Sequence, residues 1–345
     1  MLSHLLPRTR RKAGHAIGLD IGFSSIKLVA VSGGPGAWAL RDSAIVPLER
    51  DSENPIPVSA VRKALSDAVA RPGLDLSDLR VSVSGKGVIV RLTEMPRMTP
   101  LDLKSSIKYE AEMLLPFSLD DCVFDCPILD PEAKDRPKMK VALAAARKSV
   151  VNERLELLKE IGLVPRILGI DSIALANAFE SAMPDIPPDQ TVSLLHIGAA
   201  RTILNVITAK DLGLTRDIEV GGNNVTLAIA RGLGIPFAEA ERRKEAADPA
   251  VMEYMSPMAM VLARELRSTF GYVSSKAGKT VQAIYLSGGC ALCHALKETL
   301  AAEFGFTVAL WDPLRGISLA GGAEREGGRG RESLLAVATG LAVGE

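Results

Sequence analysis

Two segments of the chain place an ionisable residue, a glycine and small hydroxyl residues around a strand reversal. They are Leu19-Asp20-Ile21-Gly22-Phe23-Ser24-Ser25-Ile26-Lys27-Leu28-Val29-Ala30-Val31 and Leu195-His196-Ile197-Gly198-Ala199-Ala200-Arg201-Thr202-Ile203-Leu204-Asn205-Val206-Ile207. In each, an apolar strand runs into a glycine turn and returns as a second apolar strand, the pattern of a tight hairpin. Glycine lets backbone N–H groups approach an anion closely, and hydroxyls from Ser24, Ser25 or Thr202 add donors, so either turn could hold a phosphate. One such turn is a weak signal, because most are structural punctuation. Two copies just over half of the 345-residue chain apart predict a duplicated chain, with facing hairpins that clamp one nucleotide tail.

Three further clusters carry chemistry. Gly221-Gly222-Asn223-Asn224-Val225-Thr226 opens a helix that Asn223 or Asn224 would cap, running toward Gly234. Gly288-Gly289 follows an apolar strand, where a diglycine lets a flat ring or a phosphate lie against the backbone; close helix-to-sheet packing explains it equally well. Ala240-Glu241-Arg242-Arg243-Lys244 sits in a helix, and its spacing alone gives two solvated charges. The cysteines Cys122, Cys126, Cys290 and Cys293 form a C-x3-C and a C-x2-C pair, which could in principle supply four thiolates to zinc. The first pair would share one face of a strand and the second follows the diglycine at a helix start, so buried or idle thiols explain all four.

The elements that must position these residues come in a consistent order. After the first hairpin, residues 58–70 read as a helix with Val61, Leu65 and Val69 on one face, and 81–84 as a strand. A separate block follows. Residues 88–95 form a strand, and Thr99-Pro100-Leu101-Asp102 opens a helix whose Leu103, Ile107, Ala111 and Leu114 share a face until Pro116. Residues 123–129 and 139–146 pair as a hairpin across the polar loop 131–138; 152–161 is a helix ended by Gly162, and 166–170 a strand. The second half carries strand 191–197, its hairpin, helices over 237–247 and about 258–275, and strand 281–287. This predicts an α/β chain with a first-lobe core at 14–87, completed by about 318–345, an insert at 88–170 and a second lobe at 171–317. Within that lobe, about 221–280 forms a smaller helical/β subdomain.

Lysine plus arginine equals aspartate plus glutamate at 41 each, and aromatics are 4%, which excludes an overall electrostatic footprint or stacking platform for nucleic acid. No apolar run of about 18 residues predicts a membrane span. The first twelve residues lack the apolar core of a secretory signal, so a cytoplasmic location is expected. The basic run Arg8, Arg10, Arg11 and Lys12 reads as a solvated tail.

The set Leu19-Asp20-Ile21-Gly22-x-Ser24-Ser25-x-Lys27, Leu195-x-Ile197-Gly198, Gly221-Gly222-Asn223, Ala240-Glu241-x-x-Lys244 and Leu286-Ser287-Gly288-Gly289 resembles the actin/Hsp70/sugar-kinase ATPase superfamily. Glu94-Met95-Pro96-Arg97-Met98, Ile107-Lys108-Tyr109-Glu110-Ala111-Glu112, Leu115-Pro116-Phe117, Ala146-Arg147-Lys148-Ser149-Val150-Val151 and Gly162-Leu163-Val164-Pro165 narrow it. They are similar to the PilM family of type IV pilus assembly proteins, over about residues 16–341.

That resemblance implies a bilobal actin-like fold with a small FtsA/PilM-type insert and ATP in the interlobe cleft. It implies that Asp20 orients Mg through water, that Gly22, Ser24, Ser25 and Lys27 hold the terminal phosphates, and that Gly198 and Thr202 close the other side. Gly222, Asn223, Glu241 and Lys244 would meet ribose and adenine, and Gly288 and Gly289 the base and α-phosphate. The family's second hairpin begins with aspartate where this chain has His196, so weak or no ATPase activity is expected. The implied partner is the N-terminal cytoplasmic peptide of a PilN-like protein, part of an inner-membrane PilN/PilO-type complex, received between the first lobe and the insert. Its candidate lining is the strand 88–95 and the helix 103–115. The implied location is peripheral to the inner membrane, through that partner, and self-association is compatible with the pattern. A type II secretion GspL-like component, a small-molecule kinase using a carboxylate such as Asp171, and an FtsA-like filament protein are the alternatives within the superfamily.

Overall fold

The computed structural model describes residues 14–48, 56–129, 135–187, 189–208, 211–321, 323 and 330–344; the basic run Arg8–Lys12 and the start of the polar loop 131–138 lie outside them. The first sheet opens with β1 (Gly14–Ile21), β2 (Ser25–Gly33) and β3 (Ala39–Pro47), followed by α1 (Val58–Val69) and β4 (Leu79–Val83). Next come β5 (Val88–Pro96), α2 (Pro100–Leu114), β6 (Cys122–Asp125) and β7 (Lys138–Arg147), then α3 (Lys148–Lys159) and β8 (Ile167–Ile170). Helix α4 (Asp171–Ala182) leads to β9 (Thr191–Ile197), β10 (Thr202–Thr208) and β11 (Asp211–Ile218). Helices α5 (Gly222–Leu233), α6 (Phe237–Glu245) and α7 (Met255–Ala277) precede β12 (Val281–Ser287), α8 (His294–Phe304) and β13 (Thr307–Leu310). Strand β14 (Ser318–Leu319) and helix α9 (Ala336–Val343) end the described chain.

The duplication read from the two hairpins extends through both large sheets. Order β3-β2-β1-β4-β8 in one matches β11-β10-β9-β12-β13 in the other. In each, an antiparallel meander is followed by two strands added in parallel through crossovers. Central strands covered on both faces read as continuous apolar runs, and every residue of β9 is buried. The hairpin ends lie where the meander meets the parallel half, a break in topology that leaves a crevice for ligand.

The insert is smaller than the sequence predicts. Only β5, α2, β6 and β7 form a separate unit, a sheet of order β5-β7-β6. Strand β8 pairs in parallel with β4, and α3 buries Leu158 in the first-lobe core. The four-residue β8 gains its hydrogen bonds only by pairing, and β4 offers it a parallel edge just as β12 does for β13. Within the insert, Thr99 Oγ1 accepts the Asp102 N–H and Pro100 occupies the first turn of α2, as expected. Its face of Leu103, Ile107 and Ala111 packs on Met95, Met139, Val141 and Leu143.

Helix α4, which connects the halves, crosses the final helix α9 with backbones in contact. A β-carbon on Gly340 would fall 1.7 Å from the Ala174 carbonyl oxygen, and one on Gly18 would fall 1.9 Å from that of Ala338. All eight residues of α9 are buried, which explains its lack of a polar face.

Candidate functional site

The first hairpin brings Asp20 opposite Lys27 in register, and their side chains form an ion pair of 3.2 Å. Lys27 Nζ also donates to the Ser25 carbonyl at 3.2 Å, and Gly22 N–H donates to the same oxygen, closing the turn. A β-carbon on Gly22 would meet Lys27 Nζ at 2.7 Å, so glycine here makes room for the ammonium. Ser25 is buried, while Phe23 and Ser24 stand exposed at the apex.

The second hairpin faces the first. His196 occupies the strand position that Asp20 holds in its copy, and its Nδ1 lies 3.0 Å from Ser287 Oγ on β12. Burial lowers its pKa to about 4; the Asp20 charge opposes the shift and Lys27 adds to it. The ring is therefore neutral near pH 7 and close enough to feel both partners of the Asp20–Lys27 pair. Thr202 Oγ1 donates to the Val220 carbonyl at 2.7 Å, so this hydroxyl fastens the diglycine loop rather than facing outward. Gly222 N–H donates to the Gly198 carbonyl and Asn223 N–H to that of Ala199. Gly221 fits between, with no space for a β-carbon among Gly198, Ala199 and Arg201.

Helix α5 is capped by Asn224, whose Oδ1 accepts the Gly221 N–H at 2.9 Å; Asn223 is left half-buried in the first turn. Lys244 Nζ donates to Gly222 O at 3.2 Å, and lies 2.7 Å from both Thr226 Oγ1 and Glu241 Oε2. Thr226 in turn bonds Glu241. The two charges of α6 are thus tied to the diglycine turn, not solvated. Cys290 packs beside Gly222, and burial pushes its thiol up to about 11. Gly288 adopts φ 87° against the Ile197 backbone, where a β-carbon would fall 2.5 Å from oxygen, while open space lies in front of Gly289.

Several residues outside the candidate set join this wall. Asp171, the first residue of α4, is raised to about 6 by burial, with the Asp20 charge adding to the rise; Ser82, Ser84 and Arg154 oppose it. Arg154 on α3 feels both carboxylates. Arg201 extends from the second turn over the Phe23 ring, its guanidinium carbon 5.1 Å from the ring centre. Asp171 comes from the connector and Arg154 from α3, positions that only the assembled sheets bring to Asp20; Arg201 is part of the second turn itself, where the sequence already allows a direct phosphate contact. Two neighbouring carboxylates, Asp20 and Asp171, fit a hydrated Mg²⁺ carried by phosphate oxygens, a cation that typically keeps waters and takes one or two carboxylates. Among the described residues no group of three or more His, Cys, Asp or Glu could hold an ion by itself.

Residues 18–345 match the family model described as type IV pilus assembly protein PilM. The chain belongs to the PilM family. A solved PilM-PilN type IV pilus biogenesis complex is 26% identical over 94% of this chain and 97% of that one, with a TM-score of 0.81. The ethanolamine utilization protein EutJ from Carboxydothermus hydrogenoformans is 16% identical over 99% and 92%, with a TM-score of 0.52, a likeness of fold alone. The PilM-type architecture is the actin-like ATPase fold. No helix among the described residues is long and apolar enough to cross a membrane.

A second concave feature is a groove of about 290 Å³ between the first sheet and the insert. Strands β6 and β8 flank it, each an edge of its sheet, with Val123, Phe124, Asp125 and Pro127 on one side and residues 167–170, Ile173 and Asn177 on the other. The lining expected from sequence is not there. Strand β5 lies at the opposite edge of the insert sheet, Leu92 packs against the second-lobe core, and the apolar face of α2 is the insert's own core.

Proposed function

We propose that the chain is a nucleotide-binding scaffold of a type IV pilus machine, holding the N-terminal cytoplasmic peptide of a PilN-like membrane protein in the groove between first lobe and insert. The observation that carries the reading is that two open strand edges, β6 and β8, border one apolar groove. An extended peptide laid there gains backbone hydrogen bonds from an edge and buries alternate side chains, the mode called strand addition. Val123 is 53% exposed and the residues of β8 are all partly exposed, an apolar edge that a chain without a partner would normally blunt. Membrane association would come through that partner and its PilN/PilO-type complex, with the chain itself on the cytoplasmic side.

In the cleft, Gly22, Ser24, Ser25 and Lys27 would hold the phosphates of ATP, with Gly198 closing the other side and Thr202 positioning Gly221 and Gly222. Asn223, Glu241 and Lys244 would meet the ribose and adenine, with Gly288 and Gly289 behind. Asp20 and Asp171 would hold the waters of Mg²⁺, whose bound charge would neutralise the phosphates. With neutral His196 in place of a second aspartate in the hairpin, turnover is slow or absent, and the nucleotide fixes the relation of the lobes.

Calorimetric titration with the peptide tests the groove. Val123→Arg, an exposed change, is expected to weaken peptide binding at least tenfold and leave nucleotide binding within threefold. Undiminished peptide affinity would place the peptide elsewhere.

A further inference from the structure

Arg201 is the charged group between the two turns that the nucleotide assignment leaves unused. Phe23 covers one side of its guanidinium. On the other is Gly85, where a β-carbon would fall 1.8 Å from Nη1, so only glycine leaves room for the group. Nε and Nη1 are buried and have no hydrogen-bond acceptor. Asp217 feels the charge but uses its Oδ2 to accept the Gly85 N–H at 3.2 Å. A guanidinium withdrawn from water with directed donors unmet is costly unless an anion completes it.

Lys27, the other cation at the turns, is held by Asp20, and His196 is neutral. We propose that Arg201 is a direct ligand of the terminal phosphate of a nucleoside triphosphate and sets a preference for triphosphate over diphosphate. The proposal rests on the nucleotide reading of the cleft. A guanidinium N–H met by a phosphate oxygen makes a charge-assisted hydrogen bond, whose loss corresponds to about ten- to a hundredfold in affinity. The sequence places Arg201 in the turn, where it could contact a phosphate directly; the unmet donors beside Gly85 single it out.

Calorimetry of the full chain with Mg-ATP and Mg-ADP separates the outcomes. Arg201→Gln is expected to weaken ATP about ten- to a hundredfold and ADP by less than threefold. Arg201→Lys, which keeps the charge but not the fixed planar donors, falls between, and decides the matter if the glutamine variant does not fold. Without nucleotide, Arg201→Gln melts no lower than wild type, because a group with unmet donors is removed. Equal loss for both nucleotides, or a lowered melting temperature with the ATP preference intact, makes Arg201 structural and overturns the proposal. Wild type that binds both nucleotides while the variants do so unchanged overturns this proposal alone. Wild type that binds neither removes the nucleotide reading and this proposal together.

Discussion

Asp20, Asp171 and His196 show how one small wall sets its own charge. His196 is buried with its pKa lowered to about 4, below its unfolded value near 6.5, so the unfolded chain binds the extra proton first as pH falls. Its contribution is therefore present above pH 6.5 and lost progressively between there and pH 4, at most about 3 kcal/mol. Urea unfolding at a series of pH values is expected to show that slope, and His196→Gln to reduce it; an unchanged slope would mean that the ring is solvated. Asp171 works in the opposite sense, since a carboxyl raised to about 6 by burial and by Asp20 opposes folding at neutral pH. Asp171→Asn should raise stability at pH 7 by about 1–2 kcal/mol while weakening Mg-ATP, a trade expected of a binding site. Asp20→Ala should weaken nucleotide binding, because phosphate charge loses its metal anchor; equal ATP affinity by calorimetry would contradict the assignment.

At the scale of elements, the sequence is most legible where a local signal and the fold agree. The paired hairpins, the Thr99 cap of α2 and the helix from Met255 to Ala277 all carry their own pattern, and each forms where its residues direct. Strand β3 does not read as a strand, because Arg41, Asp42 and Ser43 interrupt its apolar run. Helix α4 follows β8 with no turn residue between them, and its many buried alanines and leucine give no amphipathic period. The boundary of the insert was hidden for a related reason, as β8 is assigned by the edge it pairs with rather than by anything within Ile167–Ile170. The crossing of α4 and α9 depends on one missing side chain. Gly340→Ala forces the Ala174 carbonyl away and should destabilise the protein by about 1–3 kcal/mol, as in other overpacked cores. A chemical-denaturation midpoint equal to wild type would show that the helices part freely.

Across the whole molecule, the candidate nucleotide cleft and the groove share a small set of elements. Helix α4 starts at Asp171 in the cleft wall and supplies Ile173 and Asn177 to the groove, and β8 ends where α4 begins. A shift of α4 in response to phosphate charge at its first residue would reach the groove through Ile173 and Asn177, which would couple the two sites through a single helix. The residues of the two hairpins were visible in the sequence because they repeat, whereas Asp171, Arg154 and the lining of this groove come together only in the assembled fold. The most direct measurement is calorimetry of the full chain with the N-terminal peptide of the PilN-like protein from the same organism, with and without saturating Mg-ATP. Both ligands binding, with each changing the affinity of the other by the same factor of about fivefold or more, is the expected result. Nucleotide binding with no peptide binding at any concentration of ATP would contradict the scaffold.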